Sequence, residues 1–476
     1  MKVREVFPYL DLSFSVAGIE IKGISCHHKY LDNQDMFFII KGGNFDIFKI
    51  LKKIEEKIAI FVAERQDKER IEKIIKKRPV IFLENIKEEL RKAVDRVYKG
   101  VVERFKFILV TGTNGKTTTA YLIYQLFKKF NLPSIFIGTI GYYFSDKEKE
   151  ESLLTTPDYL LLRRLLAQQE DSFVVMEASS QGIKEDRLEG ISPVELIFTN
   201  LSREHLDYHK NMHDYFSAKK KLFLDNPEAL ALINIDNFYG RRLFSQIENK
   251  KFSYGSKKSA YYRIEIKKIA YKKSYFDIFS PQEKESFSTS LLGRINIENL
   301  SAAIASLNLL GFSLGKIKKK TPFLKLPRGR LEEVAPSVFV DYAHTPSALK
   351  NVLLTLKETG YRRIICVFGC GGNRDKGKRR LMGKIASLYA DFSIITSDNP
   401  RNEDPYKILE EIKKGFIKNN FTIIVDRKKA IEKALKLRRK NDCVLIAGKG
   451  HEKYQIIGEE RIPFDDCKVV KNFLKK

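Results

Sequence analysis

Short apolar runs alternate with charged segments of helix length over most of this 476-residue chain. In the first stretch, apolar runs at 36–40, 58–62 and 80–82 are separated by lysine- and glutamate-rich segments at 47–57 and 66–77. That pattern predicts a small α/β domain over residues 1–100. From Phe105 the pattern sharpens. An unbroken apolar run at 105–110 reads as a strand buried on both faces, and a helix is predicted over 118–130. Further strand-length runs fall at 134–137, 173–176, 196–199 and 230–235. Strands alternating with helices predict a central, doubly wound, mostly parallel sheet over 101–331. Pro327-Arg328-Gly329-Arg330 reads as a hinge or linker. A second alternating set follows at 338–340, 364–368, 391–396, 421–425 and 444–447, which predicts a Rossmann-like α/β domain over 332–476. The fold class expected is therefore α/β, in three domains, because a chain of this length outgrows a single core.

Composition narrows the function classes. Hydrophobic residues make up 43% and charged residues 31%, as in a water-soluble globular protein. No apolar stretch is long enough to span a bilayer, and the amino terminus is charged from Lys2 onward, so a cytoplasmic protein without membrane insertion is expected. The five cysteines show no disulfide or zinc spacing. Net charge is +27, from 87 Lys+Arg against 60 Asp+Glu, which keeps a basic nucleic-acid-binding ATPase as a competing class. Against it, the basic residues lie in short runs such as 219–221 and 318–320, with no basic tail and no aromatic–basic interleaving.

Thr111-Gly112-Thr113-Asn114-Gly115-Lys116-Thr117-Thr118 sits between a predicted strand and a predicted helix, the setting of a phosphate loop. Glycines let backbone N–H groups close on phosphate, and the helix amino terminus adds positive potential. Lys116 is expected to reach the β- and γ-phosphates of ATP and Thr117 to ligate Mg²⁺. The common pattern places glycine at position 110, where this chain has Val110, so the loop is a shorter subtype.

The run 173–176 ends at Glu177, a carboxylate placed to hold Mg²⁺ directly or through water. His205, His209 and His213 are spaced by four, and on one continuous helix they would share a face, a zinc-like arrangement. Asp207, Tyr208 and Asn211 interrupt that helix pattern, which leaves a single histidine on Mg²⁺ as the other reading. The run Lys219-Lys220-Lys221 reads either as a solvated helix face or as ammonium groups whose repulsion favours a neutral amine. A neutral amine can take up CO₂ as a carbamate, an anion able to hold Mg²⁺.

Taken together, these motifs resemble the Mur ligase family, ATP-dependent amide ligases that build the peptide stem of bacterial peptidoglycan. The resemblance also rests on Thr155-Thr156-Pro157, Glu177-Ala-Ser179-Ser180, Asn296 and Asn299, Gly329-Arg330, and Asp341-Tyr-Ala-His344-Thr-Pro346. Gly369 through Lys376, Asp398-Asn399-Pro400-Arg401 and Gly448-Lys449-Gly-His-Glu452 complete it, so it covers nearly the whole chain. It implies that ATP phosphorylates a D-glutamyl carboxylate of a UDP-N-acetylmuramoyl dipeptide and that an amine displaces the phosphate. By the same resemblance, Glu177 and His205 would serve Mg²⁺ and Lys219 would be carbamylated. Thr155, Thr156, Ser179 and Arg187 would contact the muramoyl peptide, and Asn296 and Arg330 the nucleotide. Arg374, Asp398, Asn399, Pro400, Arg401, Gly448 and Glu452 would form the amino-acid pocket.

Asp398-Asn399-Pro400-Arg401 matches the form found in members that add meso-diaminopimelate. Arginine has a physical reason there, because its planar fork can hold the distal carboxylate of diaminopimelate in a bidentate pair. L-lysine, the alternative amine, lacks that carboxylate. A folylpolyglutamate-type ligase would share the phosphate loop but leave the 398–401 motif unexplained. Two departures from the family pattern stand out. Cys26-His27-His28-Lys29-Tyr30 replaces an Asp-Ser-Arg triplet that faces the UDP group, and Glu185 stands where glutamine is usual. The expected partners are small molecules, with no nucleic acid, and the expected state is a monomer.

Overall fold

The computed structural model describes residues 1–42, 46–144, 149–150, 152, 154–204 and 208–475. Its described part divides into two compact units. The first comprises Met1–Phe105, Pro157–Ser172 and Asp186–Ile191. The second comprises Lys106–Thr156, Phe173–Glu185 and Ser192–Lys476.

Unit 1 is built on a four-stranded parallel sheet, in the order Gly23–Ser25, Asp35–Phe38, Ile58–Glu64 and Val80–Leu83. Phe37, Phe61, Leu51 and Ile71 fill its core. The two later segments join it through charge. Arg164, on helix Tyr159–Ala167, pairs with Asp32 (2.6 Å) and with the fully buried Asp35 (2.9 Å). Asp158 caps that helix at Leu161 N–H and also takes the His27 ring at 2.5 Å. Burial disfavours the imidazolium, but Asp158 and Cys26 outweigh it and push the His27 pKa up to about 10, so the ring is charged at neutral pH. The segment replacing the usual UDP-facing triplet therefore carries a histidine already committed to a carboxylate.

Unit 2 holds two large sheets. The eleven-stranded one has a parallel centre, in the order Lys251–Gly255, Leu230–Asn234, Pro193–Phe198, Lys106–Thr111, Phe173–Glu177 and Ser134–Gly138. Helices Lys116–Lys129 and Arg294–Leu309 pack on this sheet, and a core around Ile108, Ile123, Ile197 and Leu300 runs through the contact. Burial on both faces explains the continuous apolar runs. Three further strands, Tyr262–Lys268, Ser274–Phe279 and Lys284–Thr289, extend one edge, two of them antiparallel to their neighbours. The sequence pattern did not reveal them, because polar and charged residues such as Arg263, Glu265, Asp277, Glu285 and Ser286 interrupt their apolar positions and leave no continuous apolar run.

The six-stranded sheet has the order Glu332–Ala335, Val338–Asp341, Asp442–Ala447, Arg363–Phe368, Phe392–Ile395 and Phe421–Ile423, parallel except at its first strand. Gly329 precedes it at φ +69°, where a Cβ would stand 2.2 Å from the backbone nitrogen of His451, so this connection is tightly packed. The α/β expectation, with mostly parallel sheets, is borne out.

One buried ion pair holds this second half. Arg427 and Asp466 are fully buried and joined by two hydrogen bonds of 2.8 Å each. An Asp466→Ala variant removes both side-chain hydrogen bonds and the bonded counter-charge of the guanidinium, and its denaturant midpoint should report a loss of about 3–5 kcal/mol. A loss below about 1 kcal/mol would show that the pair is dispensable.

Candidate active site

The phosphate loop forms where strand Lys106–Thr111 meets helix Lys116–Lys129. Its glycines are used as expected. Gly112 has φ +144° and a Cβ there would lie 2.0 Å from Thr199 Oγ1, while Gly115 has φ +87° and a Cβ there would lie 2.4 Å from Asn299 Oδ1. The loop is pinned by neighbours. Thr113 N–H donates to Asn200 O (2.8 Å), Asn114 N–H to Asn200 Oδ1 (3.0 Å), and Thr199 Oγ1 donates to Asn114 O (2.7 Å). Lys116 Nζ folds back on the loop and donates to the carbonyls of Gly112 (3.0 Å) and Thr113 (2.9 Å). Burial pulls its pKa below the ordinary lysine value, and Glu204 and Glu177 oppose that pull. Thr118 is buried in the first helical turn.

Thr117 Oγ1 donates to Glu177 Oε2 (2.9 Å) and accepts from Arg330 Nη2 (3.2 Å). Glu177 is itself fixed by Thr139, whose N–H donates to Oε1 (2.8 Å) and whose hydroxyl donates to Oε2 (3.3 Å). A hydroxyl and a carboxylate converging at a helix amino terminus are hard oxygen donors, and they suit Mg²⁺. Asn296 turns its amide to Leu292 O (2.8 Å) at the start of its own helix. The asparagine against the loop is Asn299, a residue that the family motif contains but the expected site omitted.

Lys219 lies on helix Met212–Leu224 and is almost wholly buried, with Nζ donating to Thr111 Oγ1 (3.3 Å). Its pKa falls well below the ordinary value, first through burial and then through the Lys116 charge, against the pull of Glu204. Lys220 and Lys221 are turned to Gln246 and Asp225, so the neutral amine owes nothing to the adjacent lysines. The solvated-face reading does not hold for Lys219.

His205 lies outside the described residues. The helix begins only at Met212, so His209 and His213 do not share a helical face: His209 is buried with Nε2 at 2.9 Å from Ser180 Oγ, and His213 is exposed. Among the described residues no group of three or more His, Cys, Asp and Glu side chains is arranged for a metal.

Three of the four expected muramoyl-peptide contacts lie together. Thr156 Oγ1 donates to Glu177 O (2.8 Å) and to Ser179 Oγ (3.0 Å), Ser179 caps helix Ser180–Lys184, and Thr155 Oγ1 meets Thr139 Oγ1 at 3.0 Å. Arg187 belongs to unit 1, near Asp158.

In the same unit as the loop, a cavity of about 380 Å³ gathers Arg374, Asp398, Asn399, Arg401, Gly448 and Glu452. Of the expected pocket residues, only Pro400 is not on its wall. Arg401 takes a left-handed backbone (φ +52°), with Nη1 on Gly372 O at 2.8 Å. Burial and the neighbouring Arg374 pull its pKa down, which marks a guanidinium short of a counter-charge. Asp398 is pushed up by burial, yet Lys449, Arg427 and His344 hold its carboxyl below the usual value. Gly448 (φ +112°) leaves room for it, since a Cβ would stand 2.6 Å from Asp398 Oδ2. The wall also includes Arg203 and Glu204, and Glu204 lies 3.5 Å from His344 Nε2. Sequence reasoning passed over both, because nothing in a run beside a histidine distinguishes a wall residue from a solvated one.

A phosphate loop beside a cavity carrying both signs of charge defines an enzyme that activates an acid with a nucleotide and hands it to a charged amine. Residues 110–307 match the Mur ligase middle domain, and residues 329–450 match the Mur ligase, glutamate ligase domain. The chain belongs to the Mur ligase family. The UDP-N-acetylmuramoyl-L-alanyl-D-glutamate–2,6-diaminopimelate ligase of Aquifex aeolicus is 39% identical over 475 residues, spanning 98% of this chain and 96% of that protein. The ligase of the same name from Clostridium tetani is 35% identical over 487 residues and spans 100% of both. A solved structure of a UDP-N-acetylmuramoyl-L-alanyl-D-glutamate–2,6-diaminopimelate ligase is 30% identical, with a TM-score of 0.60, covering 100% of this chain and 99% of that one.

Proposed function

We propose that this chain is an ATP-dependent carbon–nitrogen ligase that joins meso-diaminopimelate to the D-glutamyl carboxylate of UDP-N-acetylmuramoyl-L-alanyl-D-glutamate, in peptidoglycan precursor synthesis. The observation that carries the choice of amine is the cavity, where Arg374 and Arg401 stand with Asp398 and Glu452. The distal end of diaminopimelate is a zwitterion, and it matches this pairing of two cations with two anions.

In the mechanism, the D-glutamyl carboxylate attacks the γ-phosphorus of ATP, giving an acyl phosphate and ADP. The amine of diaminopimelate then attacks the acyl carbon, and the tetrahedral intermediate collapses to an amide, inorganic phosphate and a proton. Lys116 and the backbone N–H groups at the amino terminus of helix Lys116–Lys129 neutralise charge on the transferring phosphoryl group. Arg330, bonded to Thr117, extends that positive field, and Asn296 belongs with it to the nucleotide side. Thr117, Glu177, His205 and Lys219 as its carbamate would hold Mg²⁺, which supplies further charge neutralisation when bound. Carbamate formation adds CO₂ to the neutral Nζ and releases one proton, and the burial of Lys219 favours the neutral amine it requires. Thr155, Thr156, Ser179 and Arg187 orient the muramoyl peptide, and Pro400 shapes the amine pocket from behind.

The same proposal assigns residues 1–100 to the UDP-substrate, 101–331 to ATP and 332–476 to the amino acid. It takes the protein to be a cytoplasmic monomer that binds no nucleic acid. Among the described residues no helix is long and apolar enough to cross a membrane.

An ATP-turnover assay with the muramoyl dipeptide and a panel of amines tests the reading. Diaminopimelate should support phosphate release and L-lysine should not, because its side-chain ammonium would face Arg401. Arg401→Ala should lower kcat/KM for diaminopimelate about 10²-fold, the worth of a bidentate charge-assisted pair, and leave L-lysine unimproved. Phosphate release driven by RNA or DNA without any amine would overturn the ligase reading.

A further inference from the structure

The most buried charge next to the amine cavity belongs to a residue with no role so far. Lys449 is fully buried and is not among the residues on the cavity wall. It sits between Gly448 (φ +112°) and Gly450 (φ +53°), and neither position has room for a side chain: a Cβ would lie 2.6 Å from Asp398 Oδ2 at Gly448 and 2.7 Å from Tyr342 Cβ at Gly450. This backbone path turns the lysine stem inward, beneath the pocket.

Its ammonium meets two of the pocket's own groups. Nζ donates to Glu452 Oε2 (2.8 Å) and to Asn399 Oδ1 (2.9 Å), and it lies over the Tyr454 ring at 5.7 Å. Asn399 Oδ1 also accepts from Ile456 N–H (3.0 Å), which fixes the amide so that its Nδ2 donates to the same Glu452 Oε2 (3.0 Å). One oxygen of Glu452 is thus held by two donors, and Glu452 itself lies on the cavity wall. The pocket wall carries Arg374 and Arg401 together with Asp398 and Glu452, and from behind it Lys449 offsets the negative charge of the Glu452 carboxylate to which it is bonded. Without Lys449, Glu452 would lose its bonded counter-charge and Asn399 one of the two donors that set its orientation.

We infer that Lys449 is a positioning residue for the amine substrate: it holds Asn399 and Glu452 in the orientation that receives an ammonium group and sets the pocket's charge. The inference rests on the proposed amine site, and the experiment separates the two. Wild-type protein is assayed first with ATP, the muramoyl dipeptide and diaminopimelate. Absence of wild-type turnover with diaminopimelate would remove the functional reading and this inference with it.

With wild-type turnover established, KM is measured for each of the three substrates in Lys449→Met and Lys449→Arg. In Lys449→Met the KM for diaminopimelate should rise about 20-fold, while the KM for ATP and for the dipeptide stay within about two-fold. Lys449→Arg restores the charge with a different donor geometry, and it should recover part of the loss. An unchanged KM for diaminopimelate, or an equal rise for all three substrates, overturns the inference and leaves a lysine that only supports the fold. If Lys449→Met does not fold, Lys449→Arg decides alone: a selective rise in the diaminopimelate KM supports the role, and a wild-type KM removes it. Failure of both variants to fold assigns Lys449 to the core and also overturns the inference.

Discussion

A Lys219→Ala variant should lose about 10³-fold in turnover, the scale of removing a charge-stabilising element from phosphoryl transfer, and regain part of it when a short carboxylic acid is supplied. The structure explains why a lysine would be placed where its charge is unfavourable. Its Nζ is buried beside the phosphate loop, close enough to Lys116 for the two ammonium groups to disfavour each other. A lysine in that place is costly as a cation and useful as a carbamate, which turns the repulsion by Lys116 into attraction. Alanine removes the stem and leaves a gap beside Thr111 that a small carboxylate can enter. Rescue should therefore depend on the size of the acid, with acetate or propionate effective and bulkier acids not. The variant should keep its melting temperature, since among the described residues the hydrogen bond of Nζ is a long one, 3.3 Å to Thr111 Oγ1. Full activity of Lys219→Ala without any added acid would remove the carbamate from the mechanism.

Lys219 also shows where sequence reading stops. As one of three consecutive lysines it reads either as a solvated face or as a neutral amine, and only the family resemblance, not helix periodicity, singles out Lys219 among the three. The phosphate loop was legible because its chemistry is local: glycines with positive φ, a lysine and a threonine fall within a few residues of one strand end. The parallel strands were legible for a related reason, since burial on both faces leaves unbroken apolar runs. The edge strands at Tyr262–Lys268 and Lys284–Thr289 were not, because one exposed face dilutes the run with lysine and glutamate. The amine pocket is intermediate. Arg401 and Glu452 were nameable from motif resemblance, but they lie about fifty positions apart in sequence. Their shared cavity, and the buried Lys449 behind it, exist only once the strands at 392–395 and 442–447 have been paired with Arg363–Phe368. Thr139 is the same kind of case, a residue whose two hydrogen bonds to Glu177 have no trace in local sequence.

Lys116→Met should lower kcat about 10³-fold while weakening nucleotide binding by less than about 10-fold. The separation follows from what else holds the phosphates. Backbone N–H groups of the loop and the amino terminus of helix Lys116–Lys129 remain in the variant, and they bind the ground state. The ammonium matters most where negative charge moves onto the transferring oxygens. Its stabilising contribution is small, because it is buried, its charge is disfavoured and, among the described residues, it is bonded to two loop carbonyls. Methionine fills nearly the same volume without that penalty, so the variant should unfold at the wild-type temperature or slightly above it. Two measurements check this: nucleotide titration of the purified variant, and its turnover with saturating dipeptide and diaminopimelate. A variant that lost ATP binding and turnover in equal measure would mean that Lys116 serves uniform binding. A variant with lowered thermal stability would mean that its bonds to Gly112 and Thr113 hold the loop itself in shape. If neither occurs, the lysine is held by its bonds to Gly112 and Thr113, and its charge takes effect on the transferring phosphoryl group.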